Sequence, residues 1–166
     1  MGINLRSVVS IPLVALLAVA ANYLLGCTDS EIKTNHYQTY TDALNDRAVQ
    51  RGWYPKLIPA SAIDIKEQHD LDTNQVWIRF RISTEDKKVM LDKMRKLTND
   101  EIRSLEIITP KVDGWWFGQL AGQEPKTEGE KITDVYVGTC ENGSIYERSY
   151  LVIDRENSYL YYWCGP

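Results

Sequence analysis

Only two histidines, three cysteines and two phenylalanines occur in 166 residues, and the shortage removes several kinds of chemistry at once. A structural or catalytic zinc site takes three or four Cys and His ligands at short spacings, and His36, His69, Cys27, Cys140 and Cys164 offer no such spacing. No metal and no cofactor is expected. Basic residues are also scarce, 19 Lys and Arg against 23 Asp and Glu for a net charge of -4. A binder of phosphate backbones carries the opposite balance, so nucleic acid is not an expected partner. Asp70-Leu71-Asp72-Thr73-Asn74 begins like a calcium loop, but Gln75 stands where the tight-turn glycine belongs and Arg81 where the bidentate glutamate belongs. The segment reads as a turn leading into a strand. Nothing among the 23 acids selects a pair for glycoside chemistry, and no catalytic residue is singled out.

The first 26 residues differ in kind from the rest. They hold one charge, Arg6, and an apolar run from Val8 to Ala21 that contains Pro12. At about 14 residues the run falls short of the roughly 20 that span a bilayer as a helix, and it reads as an export signal. Leu24-Leu25-Gly26-Cys27 follows and resembles the lipobox of bacterial lipoproteins. The resemblance implies cleavage before Cys27, acylation (palmitate among the chains) of that residue, and anchoring to a membrane by more than one hydrocarbon chain, which holds firmly where one chain does not. The alternative is an uncut signal anchor with an incidental cysteine. Thr28 stands where Gram-negative lipoproteins kept at the inner membrane carry aspartate, which for a Gram-negative host implies the outer membrane, facing the periplasm. Cleavage removes Arg6 alone and leaves 18 cations against 23 acids, a charge of -5. Cys140 and Cys164 then form an even pair in an oxidising compartment and are expected to be bonded.

The remaining chain is expected to be a tether over residues 27–35 and a single α+β domain over 36–166, two or three helices packed on an antiparallel sheet. Tyr37, Tyr40, Leu44 and Ala48 fall at helical spacing, with Thr34 or Asn35 as cap and Gly52 as terminator, and predict a helix near 36–51. Val76, Ile78, Phe80 and Ile82 alternate with Trp77, Arg79 and Arg81, the period of a strand. Thr84 opens a helix of about 13 residues with Val89, Met90, Met94 and Leu97 inward, and its lysines read as a solvated face. Thr98 and Glu101 have capping-box spacing for another short helix. Residues 121–131 read as an exposed loop.

Thr133 to Cys140, Ile145 to Ile153 and Ser158 to Cys164 predict a C-terminal meander joined by Asn142-Gly143 and by residues 154–157. That register sets Cys140 opposite Ile145 and Cys164 opposite Glu147, with both sulfurs on one side. The cysteines nonetheless sit on first and third strands, roughly 10 Å apart in a flat sheet, so either the ends curl past the middle strand or the strand order differs. The same register places Tyr146, Tyr150, Tyr159, Tyr161 and Trp163 on one face and Ile145, Leu151, Ile153 and Leu160 on the other. The aromatic face is the candidate binding surface, a docking platform for protein, or else a second buried face covered by helices. Trp115-Trp116-Phe117 divides in the same way.

Gly52-Trp53-Tyr54-Pro55, Ile58-Pro59-Ala60-Ser61-Ala62 with Ile65, and Asp72-Thr73-Asn74-Gln75-Val76-Trp77 through Phe80 resemble a family of bacterial envelope proteins of the YbbD head-domain type. The resemblance implies no activity. Its prolines and tryptophan read as a rigid corner against the strand, and Ser61 as the cap of a helical turn over 62–66. The expected function is a non-enzymatic interaction module with an envelope protein as partner. The alternatives are an inhibitor or immunity protein for a periplasmic enzyme, and a carboxylate-dependent hydrolase of envelope glycans.

Overall fold

The computed structural model describes residues 31–111, 114–116, 134–141, 144–154 and 157–165. In chain order these form β1 (Ile32–Thr39), α1 (Tyr40–Asn45), β2 (Ile63–Asp70), β3 (Gln75–Arg81), α2 (Thr84–Leu91), β4 (Arg95–Lys96), α3 (Asn99–Arg103), β5 (Val135–Thr139), β6 (Arg148–Ile153) and β7 (Leu160–Gly165). The strands make one antiparallel sheet in the order β1-β2-β3-β7-β6-β5-β4. The fold is therefore mainly β, and the expected α+β packing of helices on a sheet does not hold. Glu31–Pro166 is one compact unit. The expected signal segment and Cys27 lie outside the described residues, as do Phe117, Asn142, Gly143 and the loop 121–131.

The helix expected over 36–51 fails because two local signals compete with its spacing. Residues Ile32 to Thr39 find a partner in β2, Tyr37 opposite Ile65 and His36 opposite Lys66, and this strand begins inside the stretch read as a tether. Thr39 then closes a capping box with Asp42, which starts the helix at Tyr40 instead. After six residues Arg47 turns left-handed at φ 62° and ends it. Gly52 does take the left-handed conformation expected of it, φ 80°, in the turns that follow. Ser61 caps nothing: residues 63–70 are strand, and its hydroxyl donates to Asp86 at the start of α2. α2 itself is eight residues long, with Met90 buried and Val89 exposed. Met94 and Leu97, expected on its inward face, lie beyond it and pack into different cores. The Thr98–Glu101 capping box forms as its spacing predicts.

Strand alternation divides the apolar residues between two cores. One holds Ile65, Val76, Ile78, Phe80, Leu151, Leu160 and Tyr162 under a cover of Ala43, Ala48, Tyr54, Ile58 and Met90. The other holds Trp77, Tyr150, Val152, Tyr161 and Trp163 under Leu97, Trp115 and the partly buried Ile102, Leu105, Ile107, Ile108 and Trp116. The cover of this second core is mostly extended chain, not helix, and Trp77 Nε1 donates to the Ile108 carbonyl at 2.7 Å. The segment after β2 is the turn leading into β3 that was expected. Asp70 Oδ1 accepts from the backbone N–H groups of Asp72 and Thr73, and Asn74 takes φ 52°.

The C-terminal meander is present, with its register displaced. Cys140 N–H donates to the Glu147 carbonyl at 2.8 Å, and Cys164 faces Ser149. Each pairing has slid two residues along the middle strand, because the first connection is longer than Asn142-Gly143 implies and the second, bounded by the Asp154–Tyr159 bond, keeps its length one residue further along. A slide of two keeps every side chain on its face. Cys140 and Cys164 are disulfide-bonded with Cα atoms 5.8 Å apart. The strand order is that of a simple meander, so the chain leaves the ladder after Thr139 and curls over the start of β6 to reach Cys164.

Candidate functional site

The surface expected to bind a partner is largely interior. Tyr150, Tyr161 and Trp163 are 2%, 5% and 0% exposed. Tyr150 stacks on Trp163 at 5.3 Å, while Trp116 stands edge-on to Tyr161 at 5.4 Å and to Trp163 at 6.0 Å. Tyr146 precedes β6, where strand alternation no longer applies, and packs against the first core. Ile145, expected inward, is 68% exposed for the same reason. Of the five aromatic residues only Tyr159 reaches a polar surface cluster.

That cluster is cationic and lies on the β1–β3 half of the sheet. His36, Lys66 and Arg79 are directly opposed across three strands, and Arg81 sits two residues along β3. Like charges facing one another across a ladder are unfavourable, and an irregularity in β2 supplies the remedy. Between Ile63 and Lys66 the register shifts, and Asp64 adopts φ 48°, a left-handed conformation that aspartate tolerates better than most residues. Its carboxylate then stands within reach of His36 Nε2 (3.2 Å), Arg79 (3.4 Å) and Arg81 (3.5 Å), and accepts from the Tyr159 hydroxyl at 2.5 Å. The Tyr159 hydrogen bond, then His36 and the two guanidinium groups, hold the Asp64 carboxyl below its ordinary range against the effect of burial. The two guanidinium groups also lie over the Tyr159 ring, at 4.1 and 5.4 Å from its centre. One carboxylate among Lys66, Arg79 and Arg81 leaves a net charge of +2 before His36 is counted.

A second cluster lies on the opposite face of the same strands, beneath the segment after α1. From solvent inward, the Arg51 guanidinium lies 4.3 Å from the centre of the Trp53 ring, which tilts over the His69 imidazole at 5.1 Å. His69 Nδ1 is 3.9 Å from Glu67 Oε1, too long for a hydrogen bond, and Glu67 Oε2 accepts from Asn35 at 2.8 Å. Glu67 and His69 are 0% and 1% exposed. Burial pushes the Glu67 carboxyl up to about 7, with Asn35 and Arg51 opposing. Burial likewise pushes the His69 imidazole down, against a hydrogen bond to Asn74 and the charge of Asp70. Among the described residues, Glu67 Oε1, His69 Nδ1 and the Tyr54 hydroxyl have no hydrogen-bond partner. Burial, then the neighbouring Tyr40 and Glu67, raises Tyr54.

Strand alternation left Arg79 and Arg81 on the polar side, but Asp64 and Tyr159 are 95 residues apart and no local signal joins them. Glu67 and His69 carry a period-two signal in the sequence, with Ile65, that a reading centred on the tryptophan corner passes over. The corner does pack against the strands as expected, through Trp53 on His69.

No curated protein and no solved structure matches this chain. A family model does match, over 51 of the 166 residues. The matched segment, residues 31–81, is similar to the YbbD head domain; it spans β1 to the end of β3 and contains every residue of the two charged clusters except Tyr159.

Proposed function

We propose that this protein is an envelope lipoprotein, acylated at Cys27, whose sheet domain is a non-enzymatic docking module for an acidic protein partner. The observation that carries the reading is the cationic cluster: three permanent cations held on neighbouring strands around one carboxylate, in a chain whose overall charge is -4. Electrostatic fields decay over about 8 Å at physiological salt. An acidic partner close to β1–β3 therefore meets the local charge of the cluster and not the net charge of the domain. The stacked guanidinium groups are preorganised for carboxylate oxygens, which lowers the ordering cost of contact.

The membrane part of the reading is supported by Leu24-Leu25-Gly26-Cys27 and by the disulfide, which belongs to an oxidising compartment and leaves Cys27 as the third cysteine. Thr28 favours the outer membrane of a Gram-negative host, with the domain in the periplasm.

Docking is tested with the full chain in neutral-lipid nanodiscs and poly-L-glutamate as the acidic probe. The double variant Lys66→Gln, Arg81→Gln is expected to weaken binding about tenfold and to flatten its salt dependence. Equal affinity of variant and parent would remove the cluster from the binding surface. Acylation is tested separately: Cys27→Ser is expected to lose a metabolic acyl label and to be released from the membrane fraction, and retention of both would defeat the lipoprotein reading.

A further inference from the structure

We infer that a groove on the other half of the sheet, between α3 and strands β4 to β6, binds a short peptide carrying both a free ammonium and a free carboxylate. The groove has a volume of about 670 Å³, within the roughly 300–1,000 Å³ of clefts that take small molecules. Leu97, Leu105, Val137 and Tyr150 make an apolar floor, and all four belong to the second core or pack against it, which fixes their positions. One wall carries a surface ion pair. Arg95 makes a bidentate pair with Glu101, at 3.1 and 2.9 Å, and Glu101 is held in turn by the capping box with Thr98.

Those two charges satisfy each other. Among the described residues, the remaining charged groups of the lining, Arg148 and Glu106, make no ion pair and no hydrogen bond through their side chains. Arg148 stands where the ladder ends, opposite Thr139 and Gly165, and Glu106 follows α3. An anionic amphiphile would bring its charge near Glu106 and a cationic one near Arg148, and like charges at an interface are costly. A zwitterion with an apolar body meets complementary charge at both points. A free peptide of a few residues is such a molecule, and a groove of this volume, open to solvent, holds it with both ends in reach of the charges. This site shares no residue with the cationic cluster.

The full chain in nanodiscs would be titrated calorimetrically with Ala-Leu-Ala and with its acetylated, amidated and doubly capped forms. The free tripeptide is expected to bind, and capping either end to weaken it by about tenfold or more. Arg148→Gln should erase the preference for a free carboxylate and leave that for a free ammonium, while Glu106→Gln should do the reverse. Both residues are exposed, so the variants keep the core intact. No binding of the free tripeptide at millimolar concentration, equal binding of all four forms, or end preferences that survive both substitutions would each overturn the assignment.

Discussion

Glu67→Gln is expected to stabilise the domain by about 3 kcal/mol at pH 8 and to leave it unchanged at pH 4. The carboxyl titrates near 7 in the folded protein against an ordinary 4.5, and each unit of separation corresponds to about 1.4 kcal/mol between the two protonation states. A carboxyl raised on folding contributes nothing adverse below 4.5, where it is protonated in both states. As pH rises from there the unfolded chain ionises freely while the buried group resists, and the loss is complete once pH passes 7. Glutamine reproduces the neutral acid: its carbonyl can accept from Asn35, and its amide faces the unpartnered His69 Nδ1. His69 has the opposite sign. Its lowered value means stability present above its ordinary 6.5 and lost as pH falls, and the comparison of variant with parent at one pH largely removes that contribution. Urea unfolding at pH 4, 6 and 8 measures the difference directly. Parallel pH profiles for the two proteins would show that Glu67 is already compensated, with His69 taking its proton across the 3.9 Å gap.

What could be read from the sequence follows the range of the interactions involved. Alternation in Val76 to Arg81, the Thr98–Glu101 box and the turn at Asp70 to Asn74 depend on neighbours along the chain, and they are where the residues place them; the three C-terminal strands are present in the expected order, with shorter bounds and a register displaced by two. Residues 36–51 went the other way because helical spacing at Tyr37, Tyr40, Leu44 and Ala48 coexists with a capping box at Thr39, and a strand partner 28 residues downstream decided between them. The fold class was lost with this element and with the others that came out short or extended: residues 36–39 joined an edge strand, 63–70 became a strand, and the second helix stopped after eight residues. For the site, the cations of β3 were visible as a polar strand face. Their centre was not, because a carboxylate at a bulge and a tyrosine from the far end of the chain come together only through the β3–β7 pairing. The aromatic face was assigned correctly in its alternation, except for Tyr146. Whether chain covers it depends on residues 97–116, which carry no strong periodicity.

Reduction of Cys140–Cys164 is expected to cost the domain on the order of 3.5 kcal/mol. The bond closes a loop with a sequence separation of 24, and the chain-entropy relation assigns about this much to the freedom it removes from the unfolded state. The folded state has its own reason to depend on it. Cys140 lies past the last ladder pair, Thr139 with Arg148, where a backbone bond to Glu147, packing on the first core and the crosslink hold it. Cys164 is fully buried in the first core. The two contributions separate in a comparison of reduction with the double variant Cys140→Ala, Cys164→Ala. Reduction releases the loop and keeps both sulfur atoms, whereas the variant also removes buried volume next to Tyr162 and should fall lower by roughly 1 kcal/mol. Urea midpoints with and without a phosphine reductant give the first quantity, and the variant gives the second. Amide exchange should rise first at Cys140, whose tie to Glu147 is the bond that the crosslink protects. A reduced protein with the midpoint of the oxidised one would mean that the curl over β6 is held by the packing of Cys140 on the first core, with the covalent bond adding nothing to it.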